Sequence, residues 1–579
     1  MLTDQAPAST QARHGHTTPL PSRYRLTGGT SFGFTTSRPT PGAAVTIDPG
    51  LNYSTYLGGS CADYNDPIGT DASGDLYLAG ASCSLDFPTT PGAYQQTSLG
   101  NAFTITKLNP TGTSLIYSTY VSGPSDKDTQ ERSGAVDSNG DVYVTGYTDE
   151  TDFPTTAGAY RTTPFPAAFQ SVVFKLNPAG SQLLYSTYLA PDLDPNAGSL
   201  GLAPDGSVTV TGSIDSDNAP TTPGAVQTVY PGGTYATYVA RLNPAGSRLI
   251  YGTYLGAPIT NQGGDCVPTG GLAVDAQAAA YVSEECTTGF PTTPGAYQPD
   301  GANTADGLLV KLNPAGTHLD YATYYGTPSA TASIDYVVEI TGVAVNSSGD
   351  AYLAAAMPAG AAPATPGAFA ANCTGNTAPQ PYCTAVAEFN PSGTGLIYST
   401  YFGGNTSTGS DQPSGIAIDS SGNAYVTGEA GAKDIPATPG AYSSSPGSFT
   451  VPWYLATFGS SGGLLYATYF GGSGSISIGG IISANVGSLQ VAPDVTGGNV
   501  YLGGATASTN FPVTPGAFQT TPKFQGLNTG IAAELTLPSL SAAARRGGYH
   551  LPARYQDRRQ QPAKAQPRHT PAPALAMGP

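Results

Sequence analysis

The tetrapeptide Y-x-T-Y constrains this chain more than any other feature. Its opening tyrosine falls at Tyr53, Tyr117, Tyr185, Tyr251, Tyr321, Tyr398 and Tyr466, at spacings of 64, 68, 66, 70, 77 and 68 residues. Self-similarity at such a period marks a repeat architecture in which each copy supplies one supersecondary unit. The lead into the tetrapeptide is repeated too, as KLNPTGTSLIYSTY from Lys107, KLNPAGSQLLYSTY from Lys175, RLNPAGSRLIYGTY from Arg241 and KLNPAGTHLDYATY from Lys311. Two other phrases keep step: GAVDSNGDVYVTG at 134–146 or GIAIDSSGNAYVTG at 415–428, and FPTTPGAY at 87–94.

Each copy reads as four short antiparallel strands. GIAID is the first, and SSGN is a tight turn in which glycine takes a positive φ at low cost. AYVTG is the second. FPTTPGAY is a connection, because proline cannot donate to a strand ladder. AFTITKLN at 102–109 is the third, N-P-x-G turns the chain, and the Y-x-T-Y segment is the fourth. The first strand carries Gly, Ala and small branched residues, as an innermost strand must where units converge. Tyr and Phe concentrate in the third and fourth. These features predict an all-β, seven-bladed β-propeller of four-stranded antiparallel meanders, each copy covering faces its neighbour cannot bury alone. A β-solenoid is the rival, but its coils are shorter than these units.

The last copy writes strands near 487–492, 499–503 and 530–538 but no Y-x-T-Y, while LNYSTYLGG at 51–59 stands alone ahead of the first copy. The expectation is closure by N-terminal strand exchange, with 51–57 antiparallel to 530–537. The segment AAVTI at 43–47 reads as a further third strand and competes for that place; the C-terminal copy matches better.

YSTYLGG at 53–59, DSNGDVYVTGYT at 137–148, DFPTTPGAYQ at 86–95 and KLNPTGTSLIYSTY at 107–120 resemble the SBBP beta-propeller repeat of bacterial and archaeal exported proteins. The likeness spans roughly 43–538. It implies a seven-bladed propeller in an exported or cell-surface protein and brings no catalytic motif.

Formal charge is −17, with +6 in 541–579 and +3 in 1–42, which leaves −26 for 43–540. The expected organisation is a disordered or extended lead-in over 1–42, the propeller over 43–540, and a basic Pro/Ala-rich disordered tail over 541–579. An acidic body repels nucleic acid and anionic lipid. No apolar run is long enough to span a membrane, and the residues after Met1 show no apolar signal-peptide core.

Six cysteines occur with no C-x-x-C spacing. Cys61 precedes the first strand of its copy and Cys83 follows the second; Cys266 and Cys286 hold equivalent places in the fourth copy. In an antiparallel hairpin those positions lie side by side, so each pair can form a disulfide. Cys373 and Cys383 share a longer insert. Three local pairs imply an oxidising compartment, extracellular or cell surface.

His318 is the single histidine in 43–540, which argues against a Ser-His-Asp triad or a multi-histidine metal site. GSSGG at 459–463 matches G-x-S-x-G but occupies the outer turn, where no nucleophile elbow is expected. Asp71/Asp75 and Asp137/Asp141 flank hairpin turns; such residues ordinarily cap turn N–H groups, with weak calcium binding as the alternative. Lys107, Lys175, Arg241 and Lys311 share one repeat position, filled elsewhere by Glu388, Thr457 and Glu534; these charges read as locally paired or solvated. Trp453 aligns with Phe103 and reads as a packing residue. No catalytic residue and no cofactor are expected. The favoured function is a monomeric, non-catalytic binding or scaffold module for a protein or carbohydrate; the alternative is a polysaccharide hydrolase or lyase working through Asp/Glu pairs.

Overall fold

The computed structural model describes residues 8–13, 16–20, 22–26, 32–38, 40, 44–48, 50–125, 127, 129–191, 193–257, 266–286, 289–301, 306–326, 337–373, 382–404, 410–446, 452–472, 490–493, 498–524 and 528–537. Among them every long regular element is a strand, and no helix is long and apolar enough to cross a membrane. The tail 541–579 lies outside the described residues.

Each sequence repeat becomes four neighbouring antiparallel strands, here called a unit. Unit one comprises Asp63–Thr70, Leu76–Ser82, Ala102–Leu108 and Leu115–Val121. Units two to six follow the same order, ending with Leu464–Phe470, and each is a separate four-stranded sheet. The last copy contributes Gln490–Pro493, Asn499–Thr506 and Thr529–Thr536, and its fourth strand is Leu51–Tyr56 from the other end of the chain. The register runs Ile531↔Tyr56, Ala532↔Thr55, Ala533↔Ser54, Glu534↔Tyr53. A single bridge, Gly504↔Asn65, joins this unit to unit one in an eight-stranded sheet. Ala44–Asp48, the competitor for that place, pairs instead with Ala8–Arg13.

The core lies in the seams between units. One apolar cluster joins Tyr77, Phe103 and Tyr117 of unit one to Val144, Phe174 and Tyr188 of unit two. Another joins Tyr53, Tyr501 and Ala532 of the last unit to Leu78, Leu108 and Tyr120 of unit one. Trp453 is buried in the seam between units six and seven with Phe470 and Leu535, which fits packing and leaves its ring no open face for a sugar.

The repeated tetrapeptide now has a physical reason at each position. The second tyrosine clamps its own unit's long connection: the Tyr120 hydroxyl accepts from Phe87 N (2.8 Å) and donates to Ser84 O (2.6 Å). Tyr188, Tyr254, Tyr324, Tyr401 and Tyr469 hold the same backbone N–H in their units, and Tyr56 holds Phe511 N at 3.0 Å. The threonine takes the N–H that follows the A-Y end of the connection, as Thr119 does from Gln95 (2.9 Å) and Thr55 from Gln519 (2.9 Å). The first tyrosine packs on the outer-turn glycine of the next unit. A Cβ at Gly180 would overlap the Tyr117 ring, and one at Gly112 the Tyr53 ring; both glycines also need positive φ.

FPTTPGAY reads as a plain connection in the sequence but is also a latch. Its last residue donates its N–H to that same glycine carbonyl: Tyr94 to Gly180 (2.8 Å), Tyr160 to Gly246 (2.8 Å), and Phe518 to Gly112 (2.9 Å).

Candidate functional site

The first strands are the crowded ones. A Cβ at Gly271 would stand 2.8 Å from Val343 Cγ2, and one at Gly342 would stand 3.0 Å from Ile416 Cγ2 of the following unit. Small residues are required there because successive first strands approach side chain to backbone. Together the first strands of units one to six line a single cavity of about 420 Å³, a size that suits a small ligand or one residue of a larger one. Ile68, Gly134, Leu200, Gly271, Gly342 and Gly415 contribute one from each unit. The polar lining comes from Asp66, Gln130, Ser133, Ser199, Thr341 and Ser414, and Cys83 reaches its wall. Hydroxyls, amides and glycine backbone offer hydrogen bonds in both directions.

Toward the connection end of the sheets stand three half-buried glutamates outside the repeat pattern. Burial, then the neighbouring Glu339, pushes Glu285 up to about 7. Glu339 and Glu429 are also raised by burial. Glu284 stands where units one, two, three, six and seven have Gly80, Gly146, Gly212, Gly428 and Gly504; burial pushes it up to about 8, against a hydrogen bond from Thr237. The sequence reading missed these four carboxylates, although Glu284 breaks a glycine column and was visible as such.

The three disulfides are Cys61–Cys83, Cys266–Cys286 and Cys373–Cys383, with Cα separations of 5.4, 4.2 and 6.4 Å. Cys266 and Cys286 are direct partners across the first two strands of unit four. Glu284 approaches their sulfurs, but both are engaged in the disulfide.

The repeated charges form a local device on the turn end. Lys107 Nζ lies 2.8 Å from Asp71 and 3.0 Å from Asp75, over the Tyr77 ring at 4.9 Å. Lys175 meets Asp141 at 2.7 Å and Asp137 at 3.6 Å, and Lys311 meets Asp275 at 3.3 Å. Arg241 reaches Asp205 at 3.1 Å and crosses the seam to Pro314 O at 2.7 Å. Asp71, Asp137 and Asp275 each also accept two turn N–H groups, as Asp71 does from Ser73 and Asp75. Burial acts to raise Asp71, but Lys107 and those N–H groups outweigh it and hold the carboxyl below its usual range. The calcium alternative at Asp71/Asp75 and Asp137/Asp141 therefore meets an ammonium already between the carboxylates. His318 is exposed beside Asp320, and Ser461 lies in an exposed outer turn.

Residues 116–154 and 397–436 match the beta-propeller repeat SBBP. At those two regions the chain carries the SBBP beta-propeller repeat. The two matched stretches each run from a Y-x-T-Y strand through the first hairpin of the next unit, so the SBBP period is offset by one strand from the sheets themselves. No curated protein matches the chain. Among solved structures, an oligogalacturonate lyase from Vibrio parahaemolyticus aligns over 90% of this chain and 97% of its own at 9% identity, with a TM-score of 0.40. A protein of unknown function from Dyadobacter fermentans aligns over 84% and 99% at 8% identity, with a TM-score of 0.35. Likeness of this size extends to neither activity nor ligand.

Proposed function

We propose that the seven units are the blades of one closed ring, and that this ring is a non-catalytic module of an exported or cell-surface protein that binds a protein or glycan at its central cavity. The observation that carries the binding reading is the cavity itself: six first strands contribute hydroxyl, amide and glycine backbone groups to one space. Closure is supported by the pairing of Leu51–Tyr56 with Thr529–Thr536 and by the latch from Phe518 to Gly112. An oxidising compartment is supported by the pairing of all six cysteines.

One observation favours the enzymatic alternative. Glu285 and Glu339 lie close enough to interact, and Glu285 near 7 is in the range of a general acid or base. A glycan array, run with the full chain and with Ser133→Trp to fill the cavity, tests the first reading: binding that is lost in the variant, without turnover of the bound glycan, is expected. Turnover of a polysaccharide that disappears in Glu285→Gln would replace it with the second.

A further inference from the structure

The charged device of the turn end is inverted in unit five. In units one and two a lysine ammonium sits between two turn carboxylates, and in unit four Lys311 meets the single turn carboxylate Asp275; each lysine is flanked by the tyrosines of the adjoining strands. Unit five places Glu388 in that register, between Tyr352 and Tyr398. Its turn supplies Asp350 and Asn346, and Asn346 Nδ2 donates to Asp350 Oδ2 at 2.8 Å. Among the described residues the unit's own device thus has two carboxylates and no cation of its own; the Lys311 ammonium of unit four, paired with Asp275, lies beside Gly349.

The other two units without a basic residue at this position are compensated. Unit six has Thr457, and its turn Asp419 accepts from Asn423 (2.7 Å) and Tyr425 (2.9 Å). In the last unit Glu534 accepts from Asn52 at 3.0 Å. The residue equivalent to Asn52 in unit five is Ile397, which cannot donate. Glu388 is 4% exposed and shares a hydrogen bond with Tyr352, but its Oε2 has no partner although it is buried. Asp350 is only half-buried, which opens the compartment to solvent. A buried carboxylate oxygen without a partner costs far more than a solvated one.

We propose that unit five binds a divalent cation between Glu388 and Asp350, in the place taken by the lysine ammonium in units one, two and four. The donors are all oxygens, which selects a hard ion of the calcium or magnesium class, with water completing the shell through the open Asp350 side.

The test is thermal unfolding of the full chain at pH 8 in EDTA and in millimolar calcium or magnesium, with terbium luminescence sensitised by the adjoining tyrosines as a direct readout. At cation well above its Kd, a rise in Tm of about 2–4 °C is expected. Glu388→Lys combined with Asn346→Asp rebuilds the unit-one device; it should raise Tm in EDTA, remove the cation-dependent rise and abolish the tight phase of terbium binding. If that variant does not fold, Asp350→Asn should weaken terbium binding at least tenfold. A wild-type Tm that is the same in EDTA and in both cations, or tight terbium binding that survives in the variants, would overturn the proposal. Neither result depends on what the central cavity binds.

Discussion

Units two and seven make the same four-stranded sheet by different means. In unit two the third and fourth strands, Gln170–Leu176 and Leu183–Pro191, are joined by a short turn in which Asn177 Oδ1 accepts from Ser181 and Gln182. In unit seven no turn joins them; Asn52 and Thr536, 484 positions apart, hydrogen-bond across the break. For a flexible chain, exchanging a loop of a few residues for one of that length costs about 4 kcal/mol in closure entropy. The side-chain contacts are nonetheless the same: Tyr56 does what Tyr188 does, and Thr55 what Thr187 does. The fourth strand is therefore held by its own side-chain contacts and not by the covalent turn beside it.

That equivalence can be broken most severely at the second tyrosine. Tyr56→Ala and Tyr188→Ala should each destabilise by about 3–5 kcal/mol in urea unfolding, from the lost ring and the two unpaired backbone groups. A much smaller loss for Tyr56 would mean that the N-terminal strand is not docked in solution. The glycine beneath the first tyrosine gives the next test. Gly112→Ala and Gly180→Ala combine positive φ with overlap on Tyr53 and Tyr117, and each should cost about 2–4 kcal/mol. Equal midpoint shifts would place the seam from unit seven to unit one on a par with an internal seam; a silent Gly112→Ala would set it apart.

Acid sharpens the comparison further. Asp63 follows the crossover from unit seven and accepts from Gly59 N; Asp411 follows the crossover from unit five and accepts from Gly404 N and Ala432 N. Burial pushes each up to about 6. Their folded pKa lies above the unfolded value near 4, so their contribution is fully present below about pH 4 and is lost as pH rises through 6. Stability should thus fall by about 2–3 kcal/mol per residue between pH 4 and 7, and Asp63→Asn and Asp411→Asn should flatten the profile by similar amounts. The smallest test concerns turns that both units build with glycine. Unit four has Ala278 where Gly140 stands in unit two, at φ 64°; Ala278→Gly should raise stability by about 1 kcal/mol.

The strands were legible because their pattern is repeated, and the cysteine pairs because two copies place them alike. The break between Leu51–Tyr56 and the rest of its unit was legible from counting: one copy lacked a fourth strand and one fourth strand lacked a copy. The latch formed by FPTTPGAY was not, because a backbone N–H carries no sequence signature and its acceptor, Gly180 for Tyr94, lies in another unit. The lysine column announced a local ion pair, yet Glu388 looked like one more surface charge until its burial was seen. Glu285 and Glu339 come from different units, and only the fold makes them neighbours.

The break in unit seven also has a genetic consequence. Leu51–Tyr56 and Thr529–Thr536 both lie outside the interval bounded by the first and last continuous copies. Unequal crossing-over between any two KLNPAG-like stretches within that interval removes or adds whole sets of four strands and leaves the two pairing ends intact. Every such product still carries a terminal pair able to complete its last sheet. A gene of this construction can change length in steps of one copy without passing through an intermediate that exposes an unpaired strand edge.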